Sequence, residues 1–267
     1  MLQHIRKKKH SIAAFCIALF VNAIIFYNFP QLEAFISDLI GGVQPIYAGE
    51  TVLNLPEGGI PDPGIAPQGN TPQPTPTTLP SSYSFDVPYT VQAPYAQWGD
   101  DTYQNGCEEA ALLMVHLYWQ KQLLDADIAT AEIKNMVDWQ KSTYGSHFDL
   151  SVWKLTDFAA EYLGSLYQSS VYRSPSAEDL EREIALGRPI IVPVMSHSLE
   201  NSHYGRNDAY HMLVIKGYDE TGWITNDPGI KEGENYHYTF EIMKKAMDAQ
   251  TEHVAGQGNV ALVLYPM

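Results

Sequence analysis

Residues 50–82 limit where this chain can build a packed domain, because proline and glycine are too frequent there. The stretch reads ETVLNLPEGGIPDPGIAPQGNTPQPTPTTLPSS. Such a composition does not form a packed element, and its Pro-Thr part favours an extended, polyproline-type chain. We therefore predict a spacer over 50–82. Regular patterns resume at residue 83 without another linker, so residues 83–267 are predicted to form one domain.

Residues 1–30 have the pattern of an export segment. Basic residues occupy positions 6–9, and an uncharged, mostly apolar stretch follows at 11–29. This stretch is close to the roughly 20 residues that span a bilayer, and its positive end stays in the cytoplasm. No small-residue cleavage site follows closely. We expect a transmembrane anchor in the cell membrane that holds the later domain outside the cytoplasm. Secretion after signal cleavage is the alternative.

Apolar residues also recur at helical spacing within the juxtamembrane segment 31–49. They predict either a continuation of the anchor helix or a short amphipathic helix on the outer membrane face. In both cases the chain meets the membrane through its N-terminal part.

The charge of the chain argues against nucleic acid as a partner. The net charge is −15, and the four basic residues at 6–9 leave 12 basic against 31 acidic side chains in the rest. Such a surface repels a phosphate backbone. Apolar residues make up 45% of the chain, which is ample for a globular core. We expect the domain to be a monomer.

Helical patterns dominate the first half of the predicted domain, and strand patterns dominate the second. Apolar spacing, capping residues and terminal glycines predict helices at about 107–120, 150–163, 176–187 and 239–249. Short β-branched or aromatic runs predict strands at 188–195, 211–218, 222–227 and 259–265. Helices first and a mostly antiparallel sheet afterwards describe an α+β fold.

Cys107 stands directly before an apolar helical run, in QNGCEEAALLMVHLYW. The unsatisfied amides and the positive dipole end at a helix N-terminus favour a thiolate, which suits a nucleophile. Cysteine is also among the most buried residue types, so a small core residue is the alternative. The other cysteine, Cys16, lies in the N-terminal apolar stretch, and a disulfide framework is excluded.

A base and an orienting group for such a thiol occur on two successive predicted strands. His211 opens the strand HMLVIKGY, and Asp227 ends the next strand in WITNDPG. If these strands pair as a hairpin across GYDETG, the two side chains become neighbours. Asp227 then accepts from one imidazole nitrogen and leaves the other for the thiol. A rim histidine and a turn aspartate are the alternatives without a catalytic role.

The segment SHSLENSHYGRNDAYH, residues 196–211, is rich in potential metal ligands. Its histidines and acids do not match H-E-x-x-H or a closed zinc site, so we expect neither a metal nor another cofactor. We interpret residues 197–210 as a long loop that borders a cleft. Trp98, Tyr204 and Tyr210 are candidate substrate-binding residues of that cleft, or they only pack its walls.

Several motifs together resemble the cysteine peptidases related to bacteriocin-leader-processing enzymes, the peptidase C39-like family. These motifs are VPYTVQAPYAQW followed by NGCEEAALLMV, then GRPIIVPV, YHMLVIKGYDE and WITNDPG, and the resemblance covers about residues 84–240. It implies a papain-like fold in which Cys107 is the nucleophile, His211 the base and Asp227 the orienting residue.

The resemblance also implies an upstream glutamine that helps to bind the oxyanion. Gln92 lies in the family-like VPYxxQ context, and Gln104 is the alternative. Many relatives have glycine after the cysteine, whereas this chain has Glu108 and Glu109. Carboxylates in the first helical turn suit the dipole, but they raise the pKa of a neighbouring thiol.

The leading hypothesis is a membrane-tethered cysteine peptidase outside the cytoplasm that cleaves a peptide or protein substrate with these residues. Amide hydrolysis or acyl transfer on cell-wall peptide, by the same triad, is a second hypothesis. A catalytically silent domain that binds peptides or wall material is a third.

Overall fold

The computed structural model describes residues 79–205, 208–250 and 257–267. The predicted anchor, the juxtamembrane segment and residues 50–78 of the spacer lie outside the described residues. Within the three described ranges, no helix combines the length and the apolar character needed to cross a membrane.

Helices form most of the chain between residues 101 and 162. They are α1 (Asp101–Gln104), α2 (Cys107–Gln120), α3 (Ala126–Tyr144) and α4 (Val152–Tyr162). The helices predicted at 107–120 and 150–163 are present as α2 and α4. Helix α3 was not predicted, because most of its surface is polar and only a narrow stripe around Ala129, Ile133 and Met136 is buried.

Helix α2 is the central helix of the domain and is buried on all sides. Its residues from Cys107 to Leu117 are all buried, including Glu108, Glu109 and His116. The apolar spacing predicts one core-facing stripe, with these three polar residues off its centre. The structure instead encloses the helix between α3 and the sheet, so the acidic side chains are buried as well.

The second half of the domain builds one antiparallel sheet with two helices on its far side. The strands are β1 (Tyr83–Ser84), β2 (Tyr167–Arg173), β3 (Ile190–Met195), β4 (Tyr210–Tyr218), β5 (Gly222–Asn226), β6 (Tyr236–Thr239) and β7 (Val260–Pro266), and the helices are α5 (Ala177–Ala185) and α6 (Phe240–Ala249). The strand order is β2-β7-β3-β4-β5-β6, and β1 pairs with β4. The predicted α+β fold is confirmed.

Strand β4 separates two hydrophobic cores. Met212 and Val214 belong to the core that contains α2 and α4, whereas Leu213 and Ile215 belong to the core beneath α5 and α6. Alternation along a strand explains this division, because successive side chains point to opposite faces. The strand is buried along its whole length and therefore holds the start of its chain, at Tyr210 and His211, in a fixed place.

Strands β4 and β5 form the hairpin that the sequence predicts across GYDETG. Val214 lies opposite Asn226, so the residues after β5 return alongside the beginning of β4. The register shifts between Ile215 and Gly217. A Cβ atom on Gly217 would lie only 2.5 Å from that of Ser84, so glycine there allows β1 to pair with β4.

Candidate active site

Cys107 is the first residue of α2 and lies against the sheet. It follows the N-cap residue Gly106, which has no side chain to satisfy the free amides of the first turn. Only 4% of Cys107 is exposed, and its neighbours in the core include Met212 of β4. Cys107 therefore lies at the helix start, as predicted, and it is more enclosed than a thiol on the protein surface would be.

The sulfur of Cys107 donates a hydrogen bond to Oε2 of Glu108 at 3.0 Å. Burial raises the pKa of the Cys107 thiol well above its ordinary value, and the charge of the Glu108 carboxylate raises it further. The backbone amide of Met212 acts in the opposite direction, since it points a partial positive charge at the sulfur. Burial and an ionised Glu108 therefore both favour the neutral form of the thiol.

His211 and Asp227 are in direct contact. Nε2 of His211 lies 2.8 Å from Oδ1 of Asp227, and both residues are buried. The hairpin produces this contact, because it brings the end of β5 back to the start of β4. Among the described residues, the His211 ring makes this hydrogen bond through Nε2 and none through Nδ1. The pair thus fixes the ring through one nitrogen and leaves the other available.

Three further donors converge on the Asp227 carboxylate. The hydroxyls of Tyr204 and Tyr238 donate to Oδ1 and Oδ2 at 2.5 and 2.7 Å, and the Gly229 amide donates to Oδ1 at 3.0 Å. Burial favours a higher pKa, but the His211 charge and the bonds from His211 and the two tyrosines outweigh it. The pKa of Asp227 therefore lies below its ordinary value, and the residue is a carboxylate at neutral pH.

The thiol and the imidazole are both located at the start of β4. The sulfur is beside the Met212 amide, and the preceding residue, His211, carries the ring. We expected a separation near hydrogen-bond reach, but no hydrogen bond joins Cys107 to His211 within the described residues. The thiol donates instead to Glu108, which follows Cys107 in the same helical turn.

Gln92 ties the entrance of α2 to the loop after Asp227. Its backbone amide donates to the carbonyl of Pro228 at 2.8 Å, and its Nε2 donates to the carbonyls of Tyr103 and Gln104 at 3.1 and 2.8 Å. Gln92 is buried, whereas the side chain of Gln104 is exposed. The structure thus places the Gln92 amide next to the segment that leads into Cys107.

The three predicted cleft aromatics have different surroundings. Trp98 is 41% exposed. Tyr204 lies with its ring centroid 5.5 Å from that of His211, and its hydroxyl binds Asp227. Tyr210 is buried, and its hydroxyl donates to the Leu150 carbonyl at 2.7 Å. Tyr204 and Tyr210 therefore hold site residues and neighbouring backbone in place, and Trp98 is the one of the three with a large exposed surface.

Sequence patterns did not identify the partners of the acidic pair in α2. Oε1 of Glu108 accepts from the Leu150 amide at 2.8 Å, and Oε1 of Glu109 accepts from Gln140. The only sequence signal was the presence of two adjacent acids at the start of an apolar helix. Their partners come from α3 and the loop before α4, and spacing along the chain does not indicate them.

In this structure a cysteine starts a central helix, and the helix packs on an antiparallel sheet that carries a histidine–aspartate pair. Papain-like cysteine peptidases have this architecture. The chain belongs to the peptidase C39-like family, whose profile matches residues 84–255. No curated protein matches the chain. A solved structure described as a "putative C39-like peptidase" from Bacillus anthracis aligns with 70% of this chain and 98% of its own, with 16% identity and a TM-score of 0.48.

Proposed function

We propose that the chain is a cysteine peptidase in which Cys107 is the nucleophile, His211 the general base and acid, and Asp227 the residue that orients the imidazole. One observation carries this proposal. His211 is held by a buried carboxylate through Nε2, its Nδ1 bonds to no other residue that the structure describes, and the next residue, Met212, contacts the thiol. A general base needs one ring nitrogen free to accept the thiol proton, and the carboxylate on the other nitrogen fixes the tautomer that provides it.

The chemistry follows from these roles. The thiol leaves Glu108, passes its proton to Nδ1 of His211, and the sulfur attacks the peptide carbonyl carbon. The tetrahedral intermediate collapses as His211 returns the proton to the departing amine, which leaves a thioester on Cys107. Water then attacks the thioester with His211 as base, and the carboxylic acid product and the free thiol are formed. Asp227 stabilises the imidazolium that exists between these proton transfers.

Gln92 is the proposed side-chain donor to the oxyanion, together with a backbone amide at the start of α2. Its Nε2 donates to the carbonyls of Tyr103 and Gln104, which uses both of its N–H groups, so the oxyanion has to replace one of these two acceptors. We expect Gln92→Ala to lower kcat/KM by about 10²- to 10³-fold, the usual effect of losing one oxyanion donor. Gln104→Ala is the matched control, because its side chain is exposed. A larger loss in Gln104→Ala than in Gln92→Ala would overturn the assignment.

The location outside the cytoplasm is part of the proposal and rests on the sequence of the first 82 residues. A basic start, an apolar stretch of membrane-spanning length and a proline-rich spacer are typical of a tethered exported domain. The spacer ends at the domain, where the carbonyl of Pro80 accepts from the Tyr218 hydroxyl at 3.0 Å. A peptidase held in this way acts on peptide or protein substrates at the cell surface.

Alkylation of Cys107 at mildly acidic pH tests whether the thiol is activated. Iodoacetamide reacts with thiolates, so a thiol with a raised pKa reacts slowly unless His211 takes its proton. We expect wild-type Cys107 to react at pH 6 at least about tenfold faster than Cys107 in His211→Gln. Equal, slow rates in the two proteins would instead support a silent binding domain. Mass spectrometry of the modified peptide identifies the labelled cysteine, since Cys16 is also present.

A further inference from the structure

The geometry points to Glu108 as a positioning residue of the site: its ionised carboxylate keeps Cys107 as a neutral thiol, and its neutral form releases the sulfur for reaction. This inference rests on the proposed function, since it concerns how the same thiol is activated. It assigns a role to the acidic residue that replaces the glycine seen after the cysteine in many relatives.

The first observation is the contact itself. Glu108 is buried, and its Oε2 is the hydrogen-bond acceptor of the Cys107 thiol at 3.0 Å. An ionised carboxylate accepts the thiol proton and repels a thiolate, so it favours the neutral sulfur. A protonated carboxyl does the reverse, because its hydroxyl donates to sulfur and stabilises the thiolate. The same two atoms therefore have opposite effects in the two charge states.

The second observation is that the carboxyl group is held in place by backbone. Oε1 of Glu108 accepts from the Leu150 amide at 2.8 Å, and the carbonyl of Leu150 accepts from the Tyr210 hydroxyl at 2.7 Å. The Tyr210 oxygen in turn accepts from Nε2 of Gln257 at 3.2 Å. These hydrogen bonds connect α2 to β4 through Leu150. Glu108 therefore cannot turn away from the sulfur without breaking its bond to the Leu150 amide.

Surrounding groups favour the neutral form of Glu108 near neutral pH. Burial and the neighbouring Glu109 raise the pKa of Glu108 to about 8, although the bonds from Cys107 and Leu150 act in the opposite direction. Asp149 adds to the increase from the loop before α4. The other ionisable groups that interact with the sulfur are Tyr204, in the loop before β4, and Tyr210, at the start of β4.

The two charge states of Glu108 determine how the reactivity of Cys107 changes with pH. Below the pKa of Glu108 the carboxyl is neutral and the thiolate–imidazolium pair can form. Above it, the carboxylate favours the thiol, and reactivity declines as pH rises. An ordinary thiol does the opposite, because its thiolate fraction increases with pH. A declining alkaline limb is therefore a signature that a structural role of Glu108 alone would not produce.

The test is the rate of Cys107 alkylation by iodoacetamide between pH 7 and 10 in the full chain. We expect the wild-type rate to fall by about tenfold per pH unit once Glu108 ionises, as for titration of a single group. Glu108→Gln keeps an oxygen for the Leu150 amide and a donor for the sulfur, and it does not ionise. We therefore expect Glu108→Gln to show no alkaline decline.

Glu109→Gln is the matched control, since Glu109 is also buried in the first turn of α2 but binds Gln140 and not the sulfur. It should keep the decline and move it to lower pH, because Glu109 raises the pKa of Glu108. A wild-type rate that increases steadily with pH, or a decline that persists in Glu108→Gln, would overturn the inference. His211-dependent labelling at pH 6 tests the peptidase proposal separately, so the two fail in distinguishable ways.

Discussion

Replacement of Cys107 by alanine is expected to reduce peptide hydrolysis by a factor on the order of 10⁶, the size of effect seen when a nucleophile is removed from such a triad. The substitution removes the only described thiol near His211 and leaves no other group to form the acyl intermediate. Product formation from a cleaved peptide, followed by mass spectrometry at equal enzyme concentration, measures the loss.

Cys107→Ser is the control for the fold. Serine retains a donor for the Glu108 carboxyl and has nearly the same volume, so the thermal unfolding midpoint should stay close to that of wild type. Its hydroxyl is a much weaker nucleophile than a thiolate at this site, so hydrolysis should still be severely reduced. Hydrolysis that survives in both variants would show that another residue performs the attack.

Asp227→Ala is expected to reduce both activity and stability. The imidazole loses the acceptor that fixes its orientation and charge, which lowers kcat by about 10⁴-fold in comparable triads. The hydroxyls of Tyr204 and Tyr238 and the Gly229 amide also lose their acceptor. Because buried donors without partners cost about 1–3 kcal/mol each, we expect the free energy of unfolding to fall by about 3 kcal/mol. Kinetic assays and urea unfolding measure the two effects.

The difference in the free energy of unfolding between wild type and Asp227→Ala should depend on pH, which gives a further check on the role of Asp227. Its pKa is lowered in the folded state, so its contribution is present above the ordinary carboxyl pKa of about 4 and is lost as pH falls through the lower folded value. The gap between wild type and Asp227→Ala should therefore narrow below about pH 4. Asp227→Asn is the matched variant, since it keeps an acceptor oxygen and should unfold at a midpoint between the two. Wild-type activity in Asp227→Ala would show that Asp227 has no role in catalysis.

Short-range patterns predicted the elements that carry the site. Cys107 begins a helix because an apolar run follows a glycine and two acids, and β4 and β5 pair because the short polar turn 219–221 joins two apolar strands. The contact between His211 and Asp227 then follows from the register of the hairpin, which brings the end of one strand beside the start of the other.

Other features depended on packing that the sequence does not show. The polar surface of α3 hid its narrow buried stripe, and strands β2 and β6 are too exposed and too polar to stand out. The burial of Glu108 was not predicted, because it requires knowing that the Leu150 amide approaches α2 from a distant loop. For the same reason the thiol was expected to bind His211, whereas in the structure it donates to Glu108.

Digestion of a diverse peptide library by the purified full-length chain, under reducing conditions, tests the central claim most directly. We predict cleavage at a reproducible set of peptide bonds, seen as new N-termini, that is lost in Cys107→Ala and after pretreatment of the wild type with iodoacetamide. The same set of cleavages in wild type and Cys107→Ala would contradict the account. So would a library left intact by a protein whose Cys107 shows His211-dependent labelling, since the thiol would then be activated for a reaction other than peptide hydrolysis.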